Sequence, residues 1–171
     1  LGAICAERGV LFMVDAVSSL GLDKLQMDAW GIGLCASASQ KGLGCPPGLG
    51  ILALGEAGQA AIDKGNGPGW FLNMKNWDRY EDIWGEWHPS PVSMAVNNVR
   101  ALRAGVDAIL AEGLEARHQR HLAAARRCRT GLAELGLKPL LAEDQAAVGL
   151  SSVFGPEGVD TTPIIGRIRE K

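Results

Sequence analysis

The sequence predicts an α/β fold, because short apolar runs alternate with segments of helical periodicity and each run is bounded by Gly, Ser, Asp or Pro. At 47% hydrophobic over 171 residues the chain can bury a core, which excludes disorder as its general state. Its 17 basic and 19 acidic residues nearly cancel, so no overall field gathers nucleic acid or anionic lipid. That leaves small molecules as the expected ligands and neither nucleic acid nor membrane as a partner.

Each element follows from its local pattern. Residues 1–8 read as a helix ended by Gly9. The continuous apolar run over 10–14 has the pattern of a strand buried on both faces, and Asp15 ends it. A connection rich in Ser, Gly and Asp leads to a second apolar run over 31–37. A third, over 48–54, precedes a short helix over 56–63. Residues 64–90, broken by Gly, Pro, Asn and aromatics, are expected to form a long irregular loop. Helices are expected over 92–111 and 114–135, with Glu112-Gly113 as a hinge and Gly136 ending the second. In the tail, 137–141 and 148–154 are strand candidates, and Asp160-Thr161-Thr162-Pro163 caps a last helix. The apolar start at Leu1 and the uncapped end at Lys171 suggest a section of a longer chain. It would be cut across two domains: 1–112 from a larger one and 113–171 from a smaller α+β one.

Cys5, Cys35, Cys45 and Cys128 are widely spaced and form no C-x-x-C pair, the pattern of free thiols in a reducing compartment. No basic segment followed by an apolar core marks a signal peptide, and no apolar run approaches a membrane span. A cytoplasmic location is the resulting expectation.

Two residues carry the chemistry. Asp15 directly follows the first buried strand, and open α/β sheets bind ligands at the carboxyl ends of their strands. Taken alone it also suits an Asx-type turn. Lys41 follows the second strand in Ser37-Ala38-Ser39-Gln40-Lys41-Gly42-Leu43-Gly44, where glycines leave room near the backbone. Taken alone it suits a solvated loop charge. An acid and a lysine at one sheet edge match the requirement of pyridoxal phosphate, for which lysine forms the Schiff base and an acid keeps the pyridinium nitrogen protonated. Lys41 would then also serve as the base that moves the substrate proton.

In order, Val14-Asp15-Ala16-Val17-Ser18-Ser19-Leu20-Gly21, Met27-Asp28-Ala29-Trp30-Gly31-Ile32, Ser37-Ala38-Ser39-Gln40-Lys41-Gly42-Leu43 and Pro46-Pro47-Gly48-Leu49-Gly50 resemble the class V, fold-type I aminotransferases. Within that class the likeness is to the alanine–glyoxylate and serine–glyoxylate (serine–pyruvate) enzymes. It covers residues 1 to about 136. The resemblance implies pyridoxal 5'-phosphate as cofactor, a small amino acid and a 2-oxo acid as substrates, and a homodimer with shared active sites. It also implies the roles of Asp15 as partner of the pyridine nitrogen and Lys41 as Schiff-base lysine, with Val17 packed on the ring and Gln40 near the phosphate. The partner subunit of such enzymes lends phosphate ligands from the region that here reads Glu86-Trp87-His88-Pro89-Ser90-Pro91. There Ser90 takes the place of a threonine hydroxyl, and the usual tyrosine is absent. The resemblance implies that the arginine that holds the substrate carboxylate, and the glycine-rich phosphate cup, belong to segments outside this chain.

The remaining candidates have structural readings. Ser37 and Ser39 suit local backbone caps, and Cys45 a small buried filler. Trp70, Phe71, Trp77, Tyr80, Trp84 and Trp87 would either pack an irregular segment onto the sheet or line a substrate entrance or subunit interface. His118 and His121, among Arg117, Arg120, Arg126, Arg127 and Arg129, read as a solvated basic helix face with no metal. Two rival functions differ in class. Cysteine desulfurase-type lyases of class V generally place His where Gln40 stands and use a mobile cysteine, for which helical Cys128 is poorly suited. An inactive structural fragment would bind no cofactor.

Overall fold

The computed structural model describes residues 1–170. Helix α1 (Gly2–Glu7) leads into strand β1 (Met13–Asp15), followed by β2 (Leu34–Ala38) and β3 (Gly50–Leu54). Helices α2 (Glu56–Lys64), α3 (Met74–Trp84), α4 (Val96–Glu112), α5 (Leu114–Glu134) and α6 (Thr162–Arg169) follow. The sheet order is β1-β2-β3, with β2 parallel to β1 and antiparallel to β3. Its core is Ala16, Ile32 and Cys35, flanked by Phe12, Val14, Leu20, Leu25 and Met27. The register pairs Val14 with Cys35 and Asp15 with Ala36, which sets the ends of the two parallel strands side by side.

The apolar run over 10–14 forms a shorter strand than its sequence predicts, and it is not buried on both faces: Val10 and Met13 are each 58% exposed. Apolarity signals a strand but not its neighbours. β1 lies at the sheet edge and pairs only with β2.

Residues 64–90 are also not the irregular loop expected. They contain α3, in which Trp77, Tyr80 and Trp84 recur at helical spacing and the Asn73 side chain accepts from the Lys75 amide at 3.2 Å. The aromatic rings pack on one another. Tyr80 meets Trp70 edge-on (6.0 Å, 90°) and lies 4.7 Å from Trp84, while Trp77 meets Phe71 at 5.7 Å. Indole donors fasten the ends, Trp70 Nε1 to Pro91 O (3.0 Å) and Trp77 Nε1 to Phe71 O (2.9 Å).

In the tail the two strand candidates form only a short antiparallel bridge, Pro139 with Val153, flanked by Leu140 N–H to Ser152 O (3.0 Å) and Phe154 N–H to Lys138 O (2.8 Å). Pro139 cannot donate to a longer ladder. The last helix starts where its sequence signal lies, with Asp160 Oδ1 accepting from the Thr162 amide at 2.9 Å.

The basic stripe on α5 departs in part from the solvated face expected: Arg120, Arg126 and Arg127 are exposed, whereas Arg117 and Arg129 are packed. Arg129 is only 6% exposed and grips Glu143 through Nε (2.8 Å) and Nη2 (2.6 Å). Arg117 and Arg120 converge on Glu112 at the end of α4, next to Gly113, whose φ of +87° admits a left-handed backbone. Acceptors from other segments take the place of water around Arg117 and Arg129, a pairing that periodicity cannot reveal.

The Arg120 bond, and secondarily Arg117, lower the Glu112 pKa to about 2. A depressed carboxylate stabilises the fold above its unfolded value, near 4.5, and loses that contribution as pH falls toward 2. The thermal midpoint is therefore expected to drop over this interval, and Glu112→Gln to make that drop shallower in a melting series across pH. An unchanged slope in the variant would show that Glu112 is not linked to folding.

Candidate functional site

Asp15 closes β1, where the Ala16 amide makes a last parallel-ladder bond to Ala36 O (2.8 Å). Ala16 is fully buried, so the chain turns at this point with the Asp15 side chain left exposed. One carboxylate oxygen, Oδ1, accepts from the Val17 amide at 2.9 Å, the Asx-type geometry expected of the local sequence. Turn and ligand roles are compatible, since Oδ2 has no hydrogen-bond partner among the described residues. Behind Asp15 lies Cys35, whose thiol pKa is raised, first by burial and then by the Asp15 charge. This thiol is a protonated filler.

Lys41 lies three residues beyond β2, on a turn secured from beneath. Ser39 is fully buried and donates to Pro46 O at 2.7 Å, while its main-chain oxygen accepts from the Cys45 amide at 3.0 Å. The Gly44 amide closes the turn on Lys41 O at 2.9 Å. A Cβ at Gly42 would overlap Leu20 O, so the turns after β1 and β2 touch through a residue that must be glycine. The Lys41 amine is exposed and pairs with no carboxylate among the described residues.

Four of the five expected site residues therefore stand at the carboxyl end of the parallel pair: Asp15 exposed, Val17 half-buried, and Gln40 and Lys41 exposed. Ser90 is placed differently. It is 8% exposed on the segment before α4, and its hydroxyl donates to Val92 O (2.9 Å) and accepts from the Val92 amide (3.4 Å). Ser37 and Ser39 act as the backbone caps expected, Ser37 Oγ donating to Ala16 O at 3.3 Å. Cys45 is the buried filler expected, against Leu43 O and Ala101 O.

A groove of about 530 Å³ runs from Lys41 along α5, lined by Gly42, Arg117, His121, Cys128 and Ser151 among others. His121 Nε2 is buried without a partner, and desolvation, then Arg120 and Arg117, depress the ring's pKa. Cys128 lies within α5, on a rigid element rather than a mobile loop. Arg117 and His121 are functional candidates that the sequence reading placed in solvent. Their only signal is the i, i+4 stripe they form with Ala125 and Arg129, the buried residues of α5. No cluster of three potential metal ligands occurs among the described residues.

A carboxylate and an exposed lysine at neighbouring strand exits are the kind of pair that binding of pyridoxal phosphate calls for. The comparisons name the family. The model for class-V aminotransferases matches residues 1–159, and the chain belongs to that family, whose members depend on pyridoxal phosphate. A serine–glyoxylate aminotransferase of Hyphomicrobium methylovorum is 34% identical over 162 residues, covering 93% of this chain and 39% of that protein. An aminotransferase of Methanocaldococcus jannaschii is 31% identical over 172 residues, covering all of this chain and 44% of its own length. The crystal structure of an alanine–glyoxylate aminotransferase from Nostoc superposes with a TM-score of 0.89 at 31% identity, covering 98% of this chain and 44% of that one. The chain has the fold-type I architecture and spans well under half the length of these relatives.

Proposed function

We propose that the complete protein is a transaminase that moves an amino group from a small amino acid, alanine or serine, to a 2-oxo acid such as glyoxylate or pyruvate. The observation that carries this reading is the pairing of Asp15 and Lys41 at adjacent parallel strand exits in a class-V chain. Pyridoxal phosphate, when bound, supplies the aldehyde that captures the amine and the ring that stores the electrons released on deprotonation. Lys41 Nζ would hold the cofactor between turnovers and then carry the proton between the substrate carbon and the cofactor carbon. Asp15 Oδ2 would face the ring nitrogen and keep its proton in place, while the Val17 amide holds Oδ1 and fixes the carboxylate plane. Val17 would pack on the ring and Gln40 would lie near the phosphate. Ser90 would serve a partner subunit's phosphate only after releasing Val92.

The same reading makes the protein a cytoplasmic homodimer, with its larger domain ending near residue 112 and a smaller one starting at 113. Among the described residues no helix is long and apolar enough to cross a membrane. Incubating the complete protein with alanine or serine and glyoxylate is expected to yield glycine. Sulfide release from cysteine without glycine formation would instead support the desulfurase-type lyase and overturn the transaminase reading.

A further inference from the structure

Arg117 touches three segments at once. Its Nε donates to Gly21 O at 2.6 Å, its Nη2 to Gly42 O at 2.8 Å, and its Nη1 to Glu112 Oε2 at 3.1 Å. Gly21 lies in the connection that follows Asp15, Gly42 is the residue after Lys41, and Glu112 is the last residue of α4. The Arg117 side chain is 14% exposed, so these bonds face little competition from water. The two turns are also in contact without it: a Cβ on Gly21 would lie 3.1 Å from Gly42 O. A planar fork with several donors in fixed directions suits this task better than an ammonium, since it meets two carbonyls and a carboxylate at once.

We propose that Arg117 is a positioning residue for Lys41, clamping the turns after β1 and β2 to each other and to the α4–α5 junction. The proposal rests on the assignment of Lys41 as the cofactor-bearing lysine. Glu112 holds the fork in place from the far side, and Arg120 in turn holds Glu112 through Nε (2.5 Å) and Nη2 (2.9 Å). Misplacement of a reacting group by about an ångström can cost as much as ~100-fold in rate. Loosening the Gly42 carbonyl would act on Lys41 through one peptide unit.

The test compares the complete protein with its Arg117→Ala and Arg117→Lys variants. It reads borohydride-fixed cofactor on Lys41, the pH titration of the bound cofactor's absorbance, kcat, KM and the melting temperature. Arg117→Ala is expected to keep the label on Lys41, shift the absorbance titration, and lower kcat by about 10- to 100-fold with KM changed less than about threefold. Arg117→Lys should restore part of both losses, because an ammonium reaches one carbonyl but not the full fork. An unshifted titration and unchanged kcat in Arg117→Ala, with label still on Lys41, would overturn the clamp alone. So would a lowered melting temperature with kcat and titration intact. Absence of label on Lys41 in the unaltered protein would remove the underlying assignment and the clamp with it.

Discussion

Lys41→Ala is expected to abolish transamination in the complete protein while leaving its fold and melting temperature nearly unchanged. The side chain is exposed and makes no ion pair among the described residues, so its removal breaks no packing, and such substitutions alter stability by about 0.5 kcal/mol or less. The turn itself is fastened by Ser39, Cys45 and Gly44 rather than by the lysine amine. Activity is a different matter. Loss of a positioned proton-transfer group alone costs about 10²–10⁴-fold, and in the proposed mechanism Lys41 also supplies the covalent link. Single-turnover rates for the amino donor, measured beside a melting curve, check both halves. A small primary amine added in solution should recover part of the proton transfer without restoring the covalent attachment. Full activity in the variant would exclude Lys41 from the reaction.

Asp15→Asn is expected to separate catalysis from binding. The amide oxygen of asparagine can still accept from the Val17 amide, so the turn after β1 survives. The negative charge proposed to face the ring nitrogen is lost, and with it the reason for that nitrogen to stay protonated. Removing one preorganised electrostatic contact of this kind costs about 10²–10³-fold in kcat. Cofactor affinity should fall by about tenfold, the scale of one hydrogen bond. Equal losses in kcat and in cofactor affinity would argue that Asp15 only binds. Asp15→Asn should also lower the Cys35 thiol pKa, because the Asp15 charge contributes to raising it.

Much of this architecture is legible in the residues, and the exceptions share a cause. The apolar runs ending at Asp15 and near Lys41 mark strands because a strand inside an α/β sheet needs little beyond apolar side chains and a polar stop. The register that aligns Asp15 with Ala36 then follows from parallel pairing. Helix α3 is masked by Gly, Pro and Asn on its flanks, although Trp77, Tyr80 and Trp84 keep the helical period. The α5 stripe reads as solvated because a string of arginines is normally exposed. Its partners, Gly21 O, Gly42 O and Glu143, come from segments 14 to 96 residues away. Backbone carbonyls leave no trace in a side-chain pattern. The Lys41 turn shows the converse: Ser39 and Gly42 are conspicuous in sequence, and the structure uses them to hold the turn against Pro46 and Leu20.

The central claim is that Lys41 carries the cofactor. It is tested most directly by reducing the complete holoprotein with borohydride and mapping the labelled peptide. One pyridoxyl group per chain is expected, on the peptide containing Gln40-Lys41-Gly42, and its loss in Lys41→Ala. A label on another lysine, or on none, would contradict it.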